Sequence, residues 1–201
     1  MIILLMGPTA SGKTTLSRYL CSHGFDPVVR ATTRPIRDTE IHGVDYHFMS
    51  VPEFLNLVKQ DKMIEYEEYS DSRYYGTTYD SLRTSDNLCS TITPSGFLQI
   101  CSSGTDLGEI LLVYCKCSLK TQILRYVSRI IDFTVSDKLE MCDRLARDEG
   151  MFKGISGIVS AGKAAYPGKV TYMELDMENT VEYAFASIKL VLDGIKERNL
   201  K

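Results

Sequence analysis

Gly7-Pro8-Thr9-Ala10-Ser11-Gly12-Lys13-Thr14 is the stretch of this chain whose spacing speaks most directly of chemistry. It reads G-x-x-x-x-G-K-[ST], after an apolar run and before an amphipathic one. The glycines let the backbone curl until successive N–H groups point inward, and the helix that follows adds the positive end of its dipole. Together they form a cradle for polyphosphate oxygens. Gly7, Ala10, Ser11, Gly12, Lys13, Thr14 and Thr15 are the expected nucleoside triphosphate contacts. Lys13 reaches the β- and γ-phosphates as a catalytic cation, and Thr14 offers its hydroxyl to Mg²⁺. A turn that merely joins strand to helix would explain the glycines but not a Lys-Thr pair at that offset.

The motif alone leaves GTPases, ATP-driven motors and small-molecule kinases open. Neither Asp-x-x-Gly nor Asn-Lys-x-Asp occurs, which disfavours a GTPase switch. The strand that would carry a motor's acidic tip ends instead in Ser90-Thr91-Ile92-Thr93. A kinase with ATP as co-substrate stays ahead.

A kinase for a phosphorylated acceptor must hold a second anion close to ATP, so cations and hydroxyls are needed. The polar stretch from about 31 to 78, broken by Pro35, Gly43, Pro52 and Gly76, reads as an inserted lobe that supplies them. Arg34 and Arg37 can present guanidinium forks to phosphate, and the phenols of Tyr46 and Tyr75 can each donate a further hydrogen bond. Taken singly, each also reads as a solvated charge or a half-buried aromatic.

Thr32-Thr33-Arg34-Pro35-Ile36-Arg37, Gly43-Val44-Asp45-Tyr46-His47-Phe48, Ile64-Glu65-Tyr66 and Tyr74-Tyr75-Gly76-Thr77 occur in the order of the monophosphate-binding lobe of guanylate kinases, which this stretch resembles. With the phosphate loop the likeness covers about the first 80 residues closely and the rest in outline. The resemblance implies a P-loop NTPase-type three-layer α/β domain with an inserted nucleoside monophosphate lobe and a lid. It implies transfer from ATP to GMP or dGMP with Mg²⁺. It assigns Arg34, Arg37, Tyr46 and Tyr75 to the GMP phosphate, Glu65 to the guanine N–H and amine, and Thr77 to the opposite edge of the base. Read without the resemblance, Glu65, Glu67 and Glu68 also suit the exposed side of an edge strand. The resemblance further implies a lid over about 125–144 whose arginines meet the ATP phosphates. Arg144, in Cys142-Asp143-Arg144-Leu145-Ala146, and Arg129 are its expected catalytic cations, with Arg125 or Arg147 as substitutes. A surface position pairing Arg144 with Glu140 or Asp148 is the alternative.

The elements that must position these residues follow from hydrophobic period. Apolar runs alternate with amphipathic stretches, the pattern of an α/β domain on a mainly parallel sheet flanked by helices. Strands are expected near 2–6, 26–30, 88–92, 109–115 and 170–175, and helices near 13–22, 50–60, 79–85, 95–102, 118–131, 137–149 and 179–198. Ser50 with Glu53 and Asn179 with Glu182 read as capping boxes, and Gly24 closes the first helix. The expected organisation is one domain over 1–201, with a core of 1–30 and 79–201, the lobe over about 31–78 and the lid over about 125–144.

At 201 residues, 44% hydrophobic and with a net charge of −3, the chain supports one core and no global basic field, which disfavours nucleic acid and membrane as partners. ATP and a nucleoside monophosphate, GMP by the resemblance, are the partners expected, in a monomer or homodimer. The opening run is too short for a span and lacks a signal-peptide pattern. Six cysteines without a C-x-x-C pair suit reduced thiols in the cytoplasm.

Two departures from the family pattern stand out. Its strand-end carboxylates are replaced by Ser90-Thr91-Ile92-Thr93, and Arg30 stands where the family usually has a Ser beside the base. They motivate two alternatives: a kinase for another deoxynucleoside or nucleoside monophosphate, and a non-catalytic guanylate-kinase-like binding module. The intact phosphate loop weighs against the second.

Overall fold

The computed structural model describes residues 1–70, 72–128, 130 and 134–199. The chain begins with β1 (Ile2–Met6), α1 (Lys13–Cys21), β2 (Asp26–Pro27), β3 (Arg30–Thr32), β4 (Tyr46–Phe48) and α2 (Val51–Lys59). It continues through β5 (Met63–Ser70), β6 (Arg73–Thr78), β7 (Leu88–Thr91), α3 (Pro94–Ser102) and β8 (Ile110–Lys116). The last elements are α4 (Leu119–Val127), α5 (Val135–Met151), α6 (Ile155–Ala165), β9 (Val170–Asp176) and α7 (Val181–Asn199).

Unbroken apolar runs such as Ile2–Met6 have no polar face to give to water, so they must lie inside a sheet covered on both sides. The parallel sheet has the order β2-β7-β1-β8-β9, with β1 at its centre and wholly buried. Ile3 and Leu5 pack on one face with Leu16 and Leu20 of α1 and Ile188 of α7. Ile2, Leu4 and Met6 point the other way, onto Phe97 and Ile100 of α3 and Val159 of α6. These two faces make the three-layer α/β core.

Residues 30–78 build a second sheet, ordered β4-β3-β6-β5. Its register pairs Arg30 with Tyr46, Thr32 with Tyr75, Glu65 with Thr77 and Glu67 with Tyr75. Side chains alternate along strands, so these residues share one face. Ala31 and Met63 pack with Phe54 of α2, which carries the complete Ser50–Glu53 capping box. Gly76 lets β5 and β6 approach, since a Cβ there would stand 2.7 Å from the Glu65 carbonyl oxygen.

Several expected boundaries shift. The strand expected at 26–30 divides: Asp26–Pro27 adds to the parallel sheet, and the chain crosses at Val28-Val29 into the second. Pro27 has no N–H to give a further neighbour, which confines it to the edge. The helix expected at 79–85 shrinks to a single 3₁₀ turn at Asp80–Leu82, where Ser81 bonds to Thr78 and to the Val29 carbonyl oxygen. The helix expected from 118 ends at Val127 and starts on a Ser118 cap. α5 runs longer than 137–149 because Thr134 and Asp137 form a capping box. Thr180, not Asn179, caps α7 by accepting the Tyr183 N–H. α6 and the short strands β3, β4 and β6 were not expected individually. Gly24, at φ +92 just past α1, closes that helix as expected.

Candidate active site

The phosphate loop joins the end of β1 to the start of α1. Gly7 has φ +151, and a Cβ on it would stand 2.5 Å from the Cys115 carbonyl oxygen of β8, so no other residue fits without moving backbone. Gly12, at φ +99, is the N-cap of α1 and turns the chain into the helix. Lys13 Nζ donates to the carbonyl oxygens of Gly7 (2.6 Å) and Pro8 (2.7 Å), which holds the ammonium across the mouth of the loop. Arg125 braces the loop from outside, its Nη1 donating to Ser11 O at 3.3 Å and its Nη2 to Met177 O at 2.6 Å. The Thr9 N–H donates to Asp148 Oδ2 at 2.5 Å, and that carboxylate is buried on α5.

In front of the loop lies a cavity of about 520 Å³. Lys13 and Thr14 line one side of it, Arg34, Arg37, Tyr46 and Tyr75 another, and Arg144 reaches in from α5. The four clamp residues therefore meet Lys13 and Thr14 around one space, whereas Gly7, Ala10, Ser11 and Gly12 of the loop do not line it. Thr15 lies exposed on α1 and does not line it. Arg129 lies outside the described residues.

The clamp is already organised. Arg34 donates from Nη1 and Nη2 to the Glu40 carboxylate at 2.9 and 2.7 Å, and its guanidinium lies 5.6 Å from the ring centres of both Tyr46 and Phe48. Burial is the largest single influence on Arg34 and works against its charge, but the Glu40 bond, the Glu40 charge and the nearby Tyr75 together hold the group above its ordinary value. Arg37 donates its backbone N–H to the same carboxylate at 3.0 Å. The Tyr46 and Tyr75 rings meet edge to face at 6.0 Å. Burial pushes the Tyr46 phenol upward, so it stays protonated as a donor. On α5, Arg144 Nε donates to Glu140 Oε1 at 2.9 Å. Burial is the largest single influence on Arg144 and lowers its value, but the Glu140 bond and charge, with Tyr126 and Tyr69 nearby, together raise it above the ordinary value.

Glu65 and Thr77 differ from expectation. Neither lines the cavity, and they are 0% and 2% exposed. Arg30 covers them: its Nη2 donates to Glu65 Oε1 at 2.7 Å and its Nε to the Thr77 hydroxyl at 3.2 Å, while Thr77 in turn donates to Glu65 Oε1 at 2.6 Å. The cause is the side chain at position 30, long enough to cross from β3 over β6 to β5. Burial opposes the Arg30 charge, and the Glu65 carboxylate beside it keeps the guanidinium above its usual value. Sequence reasoning also missed Glu40 as the anchor of Arg34 and Glu67 as a wall of the cavity; no motif marks either.

As for metal, the Thr14 hydroxyl lines the cavity, and no group of three or more His, Cys, Asp or Glu able to hold an ion occurs among the described residues. A single hydroxyl fits Mg²⁺, which keeps most of its water and takes phosphate oxygens for the rest. It would not fit an ion needing a protein cage. Among the described residues, no helix is long and apolar enough to cross a membrane.

A family model described as guanylate kinase matches residues 1–91. The guanylate kinase of Mycoplasma pneumoniae is 29% identical over 162 residues, 76% of this chain and 66% of that protein. That of Mycoplasma genitalium is 32% identical over 149 residues, 69% of this chain and 61% of its own length. That of Maricaulis maris is 46% identical over 79 residues, 38% of this chain and 36% of that one. In these alignments the chain spans less than two thirds of each relative. A crystal structure of guanylate kinase from Anaplasma phagocytophilum superposes with a TM-score of 0.60 at 20% identity, covering 96% of this chain and 85% of that one. That likeness establishes the P-loop fold, and the segment matched by the family model holds the phosphate loop with Arg34, Arg37, Tyr46 and Tyr75.

Proposed function

From the premise that this chain belongs to the guanylate kinase family, we propose that it moves the terminal phosphoryl group of ATP onto GMP or dGMP, giving ADP with GDP or dGDP. One observation carries the reading: the cavity that brings Lys13 and Thr14 to face Arg34, Arg37, Tyr46 and Tyr75. Two anions can meet there head to tail. The division into a core, a lobe over about 31–78 and a lid over about 125–144 belongs to the same proposal, as does a cytoplasmic setting, in keeping with six free cysteines.

The loop amides and Lys13 hold the triphosphate, and the arginines and phenols hold the acceptor phosphate. Arg144 sits where it can neutralise charge on the phosphoryl oxygens in transit, the main demand of this chemistry. Mg²⁺, when bound with Thr14 and the phosphates, would supply further charge neutralisation. Bringing α5 and the second sheet together around both ligands would exclude water that could otherwise take the phosphoryl group.

A screen of nucleoside monophosphates in a coupled assay for ADP release tests this. GMP or dGMP should be the preferred acceptor, and Lys13→Ala should abolish transfer with the fold intact. A clear preference for AMP or CMP, or near-normal turnover by Lys13→Ala, overturns the assignment. A chain that binds neither ATP nor Mg²⁺ by calorimetry is the binding module instead.

A further inference from the structure

Arg30, Glu65 and Glu67 lie on the same face of the second sheet, yet they stand differently toward the cavity. Glu65 is wholly buried, and its Oε1 already accepts from Arg30 and Thr77. Its Oε2 has no hydrogen-bond partner and points at the first turn of α3, where a Cβ on Gly96 would stand 2.8 Å from it. Neither oxygen is open to a base. Two residues further along β5, Glu67 does line the cavity, and its Oε2 is screened from solvent with no hydrogen-bond partner among the described residues. Arg30 lines the same cavity. Its Nε is engaged by Thr77 and its Nη2 by Glu65, which leaves Nη1 as the donor not engaged by either. On the neighbouring strands Tyr46 stands directly opposite Arg30, and Tyr75 opposite Glu67, and all four line the cavity.

We infer that guanine is read in this chain by Arg30 and Glu67, with Arg30 Nη1 donating to O6 and the Glu67 carboxylate accepting from N1–H and the 2-amino group. Glu65 and Thr77 are positioning residues that hold the Arg30 fork. The inference rests on the reading that GMP is the acceptor. A carboxylate beside a guanidinium complements an edge that offers two donors next to an acceptor, and guanine alone among the common bases has that order. Adenine would set its 6-amino group against the Arg30 donor and its N1 lone pair against the carboxylate, a mismatch expected to weaken binding by roughly tenfold or more.

The test compares GMP with inosine monophosphate, which keeps O6 and N1–H but lacks the 2-amino group, by calorimetry on the wild-type chain, Glu67→Gln and Glu65→Gln. Circular dichroism checks that each variant is folded. The wild type should favour GMP by roughly tenfold or more. Glu67→Gln should bring that ratio close to one. Glu65→Gln should weaken both ligands together and leave the ratio unchanged, because it acts through Arg30 and the O6 that both ligands share. A ratio lost in Glu65→Gln and kept in Glu67→Gln overturns the inference while leaving the kinase reading in place. Failure of the wild type to bind GMP at all overturns both.

Discussion

Gly7 has almost no latitude. A methyl group there meets a backbone oxygen of β8 at 2.5 Å and a φ of +151 that L residues avoid, and neither can yield cheaply. Gly7→Ala is expected to cost about 2 kcal/mol or more in urea denaturation and to abolish ATP binding by calorimetry. Arg144→Ala belongs to another class, since its guanidinium reaches the cavity but supports no backbone. It should lower kcat by roughly 10²-fold while GMP affinity changes little, measured by steady-state kinetics beside calorimetry. Lys13, Arg34 and Tyr75 could be found in the sequence because each sits in a short motif whose spacing is local. The pairing of Arg30 with Glu65 could not: the two are 35 residues apart and meet only through the register of three strands. The position of Glu65 behind Arg30, away from the cavity, was out of reach of the sequence for that reason.

Among elements, α6 makes the sharpest case. Ala normally exceeds Gly in a helix by about 1 kcal/mol. At Gly157, where nothing lies within 4 Å, Gly157→Ala should therefore stabilise by roughly 0.5–1 kcal/mol. At Gly162 a Cβ would come within 2.2 Å of the Phe97 ring, which is fully buried in α3, so overpacking wins. Gly162→Ala should destabilise by about 1–3 kcal/mol on the same urea curves. Those glycines are also why α6 was illegible in the sequence, since they lower helix propensity where packing restores it. β1 and β8 were legible because long apolar runs leave few choices, whereas β3 and β4 are three residues each and take their place from neighbours. The turns around Asp106 show how loops are tied. Lys169, the Gly108 N–H and the Tyr166 hydroxyl hold the Asp106 carboxyl down to about 2, against an ordinary value of 3.8. A depressed carboxylate stabilises the fold fully above its ordinary value and loses that contribution as pH falls toward 2. The difference in Tm between wild type and Asp106→Asn should thus be largest near neutrality and shrink below about pH 4.

At the scale of the whole molecule, the cavity lies between two sheets that come from different parts of the pattern, one apolar and central, the other polar and inserted. The apolar sheet follows from composition and period; the second was visible only as an interruption. A ligand that spans both, such as adenosine and guanosine joined through a polyphosphate chain, should raise Tm more than ATP and GMP added together at equal concentration. Binding at 100 times Kd adds about 2.7 kcal/mol, so differential scanning calorimetry can resolve the effect. The Thr9–Asp148 bond gives this arrangement a direction. Asp148 comes from the same helix as Arg144, one turn further on, so a single amide ties the loop to the helix whose guanidinium lines the cavity. Under the proposed function a phosphate oxygen that took the Thr9 amide would also release that tie, which would couple occupancy of the loop to the freedom of the helix.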